Sequence, residues 1–193
     1  SQLPGLFSKE TAVGDHLQIK QEVQQTYTIS LAKSFEDYFG NDISGKLRSN
    51  FKRGEKYLSN EGEVIFCHIC GPEGVQYWRQ FLDLDDSGWK GDKGTSIKKA
   101  SKPYQKYYTE FVNILGHSGA LHMYFLELSE EPIAGVFGYI DQDTFHYAKI
   151  AYNEKFSKLN PSNTLLIYII RDLIRNNPTV KRFNMFPWDY NYK

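Results

Sequence analysis

The sequence predicts an α/β protein of the α+β kind, built on a single mixed sheet. Three observations lead there. From residue 63 onward the chain reads strand, helix, helix, strand, strand, strand, helix, strand. The three strand segments between 119 and 152 are joined by "SEEP" and "DQD", which are too short for anything but antiparallel neighbours. The last strand is reached through a helix, and such a unit crosses over right-handed onto a parallel neighbour.

Each element has its own local signal. Residues 1–23 are polar with weak periodicity and read as a leader or docked arm. "QQTYTIS" (24–30) is a short strand by its β-branched and aromatic content. Ser34 caps a short helix, and a longer one runs over 42–59 with Gly62 as its stop. Its basic residues, Lys46, Arg48, Lys52, Arg53 and Lys56, read as a solvated face and not as a nucleic-acid grip. "EVIFCHI" (63–69) is a strand. Pro72 opens a helix over 72–86, with Val75, Trp78, Phe81 and Leu82 at helical spacing. "SGWKGDKG" (87–94) is a loop, and 102–116 is a helix stopped by Gly116. "ALHMYFLELS" and "EPIAGVFGYI" are apolar on both faces, which places them centrally in a covered sheet. "DTFHYAKIAY" is the third strand of the meander. Asn160 as N-cap and Pro161 at the first helical position open a helix that closes at Asn177-Pro178. "VKRFNMF" (180–186) is the final strand, parallel to 143–152.

The bulk properties narrow the class. At 193 residues the chain is long enough for one domain with a full core, or one domain plus an appendage. Lys plus Arg and Asp plus Glu both count 23, which excludes a global pull on nucleic acid or anionic membrane. The apolar run "LLIYII" stops at Arg171, far short of the about 20 residues a span needs, so no membrane insertion is expected. Cys67 and Cys70 form a C-x-x-C, but residues three apart on a strand point to opposite faces, and no second pair completes a zinc site. Two packed, reduced thiols without metal are expected, in a cytoplasmic protein with no signal peptide. The start at Ser1 and the aromatic ending read as a piece cut from a longer chain.

With these elements in place, the order and the loop "IAYNEKFSKLNPSNTLL" resemble the GNAT acyltransferase superfamily, an acyl-CoA N-acyltransferase fold. Ser157 falls where that family's acyl-CoA loop has Gln or Arg, Asn160 and Ser162 where it has its two glycines, and Leu165-Leu166 at its aliphatic pair. The resemblance is closer to the acetyltransferase-like branch associated with cellulose and polysaccharide biosynthesis, a relative of the FemAB-type transferases. It rests on the Arg-rich helix before a strand, "GWKG" (88–91), "EPIAGVFGY", and a terminal "YK", and covers residue 25 to the end. Residues 24–193 then form one GNAT-like domain, with 24–61 an N-terminal strand–helix extension and 62–193 the core. Two departures stand out. Pro161-Ser162 replaces the branch's Pro-Gly, and the chain ends soon after the fifth strand, where the family continues. Either the last strands were removed, or the N-terminal extension compensates, or a partner completes the sheet.

The resemblance implies an acyltransferase moving an acetyl or other acyl group from acyl-CoA to an amine or hydroxyl, with a small molecule, sugar or cell-envelope precursor as acceptor. It places the thioester against the backbone of Ile150, Ala151 and Tyr152, and the pyrophosphate at the helix start with Lys158, Asn160, Ser162 and Asn163. A helix N-terminus suits an anion because its first N–H groups are unpaired and the dipole is positive there. His146 is a candidate base by its pKa range. Asp189 and Tyr190 are alternatives, as acceptor carboxylate and as acid to the leaving thiolate. Lys149 has the opposite parity to His146, so the two face opposite sides of the sheet. Trp89 and Lys90 are candidates for a lip over the acceptor, and Tyr192, in the ending that resembles the branch, is a further substrate-binding candidate. Two other readings share the fold: a FemAB-like aminoacyl transferase using aminoacyl-tRNA, and a non-catalytic binding module, alone, as a homodimer or within a longer chain.

Overall fold

The computed structural model describes residues 26–185. The expected arm (1–23) and residues 186–193, with Asp189, Tyr190 and Tyr192, lie outside the described residues. In chain order the elements are β1 (Tyr27–Ser30), α1 (Phe35–Asp37) running into a π-helical turn (Tyr38–Asp42), α2 (Gly45–Glu61), β2 (Val64–Cys70), α3 (Gly71–Gln76), α4 (Trp78–Ser87), α5 (Trp89–Asp92) and α6 (Lys102–His117). They continue with β3 (Leu121–Leu128), β4 (Glu131–Asp141), β5 (Thr144–Tyr152), a 3-10 turn (Glu154–Leu159), α7 (Pro161–Asn176) and β6 (Arg182–Met185).

One six-stranded sheet has the order β1-β6-β5-β4-β3-β2. The meander is antiparallel and β6 is parallel to β5, as the short joints and the helical crossover predict. β1 pairs antiparallel with β6, so the N-terminal strand occupies the edge beside the last strand. β3 is buried on both faces, with Tyr124 and Leu126 in one core and Met123 and Phe125 in the other. The first core lies under α2 and α7 around Phe51, Leu58, Leu165 and Ile169. The second lies under α4 and α6 around Trp78, Phe81, Val112 and Phe137.

The structure corrects several local expectations. The helix expected over 72–86 breaks at Tyr77, which caps α3 and starts α4. The loop expected at 87–94 contains the short helix α5. Gly116 does not stop α6; it lies inside it, and a Cβ there would sit 2.2 Å from Val75 Cγ2, so the glycine lets α3 and α6 approach. The left-handed residue of that turn is Gly119, at φ 78°. Arg48 is not part of a solvated face: its guanidinium donates to the carbonyls of Phe39 (3.2 Å), Gly40 and Ile43 (2.7 Å) and ties off the π-helical turn. Cys67 and Cys70 are both free, but Cys70 is exposed, not packed.

The largest correction concerns β5. The β4–β5 register runs Phe137↔Lys149 and then Gly138↔Tyr147, which leaves Ala148 as the extra residue of a bulge. One extra residue reverses the alternation, so His146 and Lys149 face the same side. His146 stacks on Tyr139 at 4.7 Å, and Lys149 Nζ lies 5.1 Å over the Tyr108 ring, both on the α6 side.

Candidate active site

The clearest gathering of candidate residues is a small cavity of about 90 Å³ between α4, α5 and the end of β5. Trp89, Lys90, Ile150, Ala151 and Tyr152 all line it, so two groups of candidates far apart in sequence meet. The Asn153 N–H bonds to the Ile133 carbonyl. By the alternation of an antiparallel ladder, Ala151 also faces β4, and the peptide groups of Ile150 and Tyr152 face the β6 side. The described pairing of β6 with β5 ends at Tyr147↔Met185, so this stretch lies beyond it. Lys90 reaches this edge, with Nζ donating to the Ile150 carbonyl at 2.9 Å.

"GWKG" acquires a physical meaning here. A Cβ on Gly91 would lie 1.9 Å from the Asp86 carbonyl, and one on Gly88 would lie 3.1 Å from the Tyr152 carbonyl. The two glycines let α5 wedge between the end of α4 and β5. Lys90 Nζ also donates to Asp85 at 3.0 Å, and the Asp85 side chain is fully buried. Asp85 accepts the Ile97 N–H at 2.8 Å as well. Trp89 carries Lys93 Nζ over its ring at 5.4 Å. Asp85 escaped the sequence reading; its only signal is an acid at a core-facing helical position after Phe81 and Leu84.

The start of α7 is the second locus. Asn160 occupies the N-cap position, but in the left-handed region (φ 57°, ψ 43°), and its side chain makes no cap bond. That corrects the expectation that Asn160 caps the helix. Its Oδ1 instead accepts from Asn163 Nδ2 at 2.9 Å. Ser162 is half-buried in the first turn. Beside this turn lies a polar pocket of about 280 Å³ lined by Asn50, Arg53, Gly54, Tyr57, Ser157, Lys158 and Asn160. α2 supplies half of it. The contact depends on Gly54, where a Cβ would lie 3.1 Å from Thr164 Oγ1 and 3.2 Å from the Leu159 carbonyl. Arg53, read from sequence as solvated, therefore stands with Lys158 at the helix start.

His146 is not brought into the small cavity. It lines a different pocket, with Asp141, Thr144, Arg182 and Asn184, toward the start of β5. Four residues of strand separate it from Ile150, roughly 13 Å. Burial holds its pKa below the usual imidazole range, Arg182 adds to that, and Asp141 opposes it. Asp189, Tyr190 and Tyr192 follow β6, outside the described residues. Among the described residues, no group of three or more His, Cys, Asp or Glu is placed to hold a metal ion, and no helix is long and apolar enough to cross a membrane.

A family model described as "Acetyltransferase (GNAT) domain" matches residues 45–193. No curated protein matches the sequence. Among solved structures, FemX aligns with a TM-score of 0.60 at 9% identity, covering 82% of this chain and 52% of that one. The C-terminal domain of a putative lysylphosphatidylglycerol synthetase from Agrobacterium fabrum aligns with a TM-score of 0.54 at 12% identity, covering 83% and 45%. L-PGS from Bacillus licheniformis aligns with a TM-score of 0.50 at 19% identity, covering 84% and 46%. At these identities the likeness is one of fold, and the chain spans about half the length of each of these structures.

Proposed function

The chain belongs to the GNAT acetyltransferase domain family, and from that premise we propose that it transfers an acyl group from acyl-CoA to an amine or hydroxyl. The observation that carries the reading is the meeting of Trp89 and Lys90 with Ile150, Ala151 and Tyr152 in one cavity, at the edge of β5 beyond its last described β6 partner. The donor set fits acyl-CoA. The backbone of Ile150–Tyr152 would hold the thioester arm. The first-turn N–H groups of α7, with Ser162 and Asn163, would take the pyrophosphate. Asn160, Lys158 and Arg53 would face the remaining phosphate. Acyl-CoA supplies the activated acyl group; the protein's residues bind it, orient it and receive the acceptor's proton. His146 and Asp189 are the candidate receivers and Tyr190 the candidate acid to the leaving thiolate, separated by the pH–rate profile of each variant. "GWKG" and "EPIAGVFGY" favour the polysaccharide-associated branch, and hence a sugar or cell-envelope precursor as acceptor.

Calorimetric titration of acetyl-CoA at two salt concentrations tests the site. Ser162→Gly should bind as well as wild type or better, because it allows closer backbone approach. Ser162→Glu should bind about five-fold more weakly, since its carboxylate repels the phosphate and competes for the same helix-end amides, at a cost of about 1 kcal/mol. Equal affinities for all three, or no heat with wild type, would leave the start of α7 a plain helix end and favour the non-catalytic module. The same basic pocket suits aminoacyl-tRNA phosphates, so binding of aminoacyl-tRNA without acetyl-CoA would select the FemAB-like reading.

A further inference from the structure

We propose that Lys90 is a catalytic residue that holds the acyl oxygen during transfer; the assignment rests on the acyl-CoA reading of the cavity. An ammonium has three N–H donors. Two have named partners, the Asp85 carboxylate at 3.0 Å and the Ile150 carbonyl at 2.9 Å. Among the described residues the third has no named partner and is left for a ligand in a cavity that Lys90 itself lines. The support is rigid. Asp85 has no exposed side-chain surface and is pinned from its other side by the Ile97 N–H. The α5 wedge fits only because residues 88 and 91 are glycines. A buried ion pair is no better for stability than an apolar pair of similar volume. An ammonium held at the edge of β5 beyond its last described β6 partner therefore fits a chemical task better than a packing one.

The chemistry balances without a further reactant. The acceptor lone pair bonds to the acyl carbon, and the carbonyl π pair moves onto oxygen, where the Lys90 N–H donates. The carbon–sulfur bond then breaks with its pair on sulfur, and the acceptor's proton ends on that sulfur. A donor aimed at the developing charge acts strongest where water is excluded.

The test uses the full chain, acetyl-CoA labelled with ¹³C at the carbonyl, and hydroxylamine as a surrogate acceptor. Infrared difference spectra should show the bound carbonyl band shifted to lower frequency in wild type. In Lys90→Met the shift should be lost and thiol release should fall about 100-fold, the usual effect of removing one such donor. The dissociation constant for acetyl-CoA should change less than about three-fold, because the bond to the neutral carbonyl is weak and strengthens only as charge develops on the oxygen. Lys90→Arg should restore part of the shift. Should the Met variant fail to fold, Lys90→Gln, an uncharged donor, should keep only part of the shift and still slow thiol release, and a full shift with an unchanged rate would overturn the assignment. An unmoved band and an unchanged rate in a folded Met variant would make Lys90 a loop strut and overturn the assignment alone. Failure of wild type to bind acetyl-CoA would overturn the acyl-CoA reading and the assignment with it.

Discussion

Two glycines of one loop differ in why they are glycine. A Cβ at Gly91 would strike the Asp86 carbonyl at 1.9 Å, whereas Gly94 has open space but a φ of 68°. Gly91→Ala should therefore cost roughly 1–3 kcal/mol, as overpacking does, and loosen Lys90 with it. Gly94→Ala should cost only the left-handed backbone penalty, about 1–2 kcal/mol, and leave acetyl-CoA binding intact. Urea melts and titrations of both variants check the contrast; equal loss of binding would mean the loop acts as a unit. A second residue-scale feature lies across the sheet under α7. Asp172 Oδ2 is 3.2 Å from His68 Nδ1, and His68 Nε2 is 2.8 Å from His122 Nδ1. Burial pushes His122 down to about 4, with His68 adding to the shift and Asp172 opposing it. The unfolded chain takes this proton near pH 6.5, the folded one only near 4, so the unfolded state binds more protons between those values. Stability present at pH 7 is then lost as pH falls through that window, by at most roughly 3 kcal/mol. Urea midpoints at pH 7.5 and 4.5 measure it, and His122→Asn should flatten the slope. An unchanged slope would place the acid sensitivity elsewhere.

At the scale of elements, the contact of α2 with the turn before α7 decides whether the pocket there is a site or a surface. Arg53→Gln removes one charge from it without touching the close contact at Gly54. Acetyl-CoA affinity should drop about five-fold at low salt, and the difference should shrink in 0.5 M salt, as screening requires. Melting should not move. A salt-independent effect, or none, would put Arg53 outside the site. Most elements were legible because they obey local rules: Ser34 accepts from the Asp37 N–H and the strand periods match both cores, whereas α5, the break at Tyr77 and the Ser44 cap of α2 were not read. What local rules do not contain is the partner. The Ala148 bulge exists only against β4, and it alone puts His146 and Lys149 on one side. Lys90 and Ile150 are 60 residues apart, so their bond is invisible until α5 docks. Arg53 could not be told from its solvated neighbours before Gly54 was seen to seat α2 against Leu159 and Thr164.

For the whole molecule, the sheet divides into unequal halves. β3 and β4 pair over most of their length and are covered on both faces, whereas among the described residues β6 is joined to β1 and to β5 by registers of four residues each. Amides of β3 and β4 should therefore exchange only through global unfolding, and those of β1 through cheaper local opening. This gives a way to place a ligand without a crystal. A ligand bound only by the folded state, at a hundred times its dissociation constant, adds about 2.7 kcal/mol to every globally exchanging amide. Protection of β3 and β4 should rise about 100-fold with acetyl-CoA wherever it binds. Amides that open locally respond only if the ligand holds their own region closed. Added protection is thus expected at Ile150 and Tyr152, whose peptide groups face the β6 side, and at Ser162 and Asn163 in the first turn of α7. β1, at the far edge beyond β6, should stay as it was. Measured by hydrogen exchange with acetyl-CoA, a rise in β3 and β4 without one at 150–152 would move the thioester away from Lys90 while leaving acyl-CoA binding in place. A rise at β1 equal to that at Ile150 would mean that the ligand couples the sheet as one body, and the two halves would not be energetically separate.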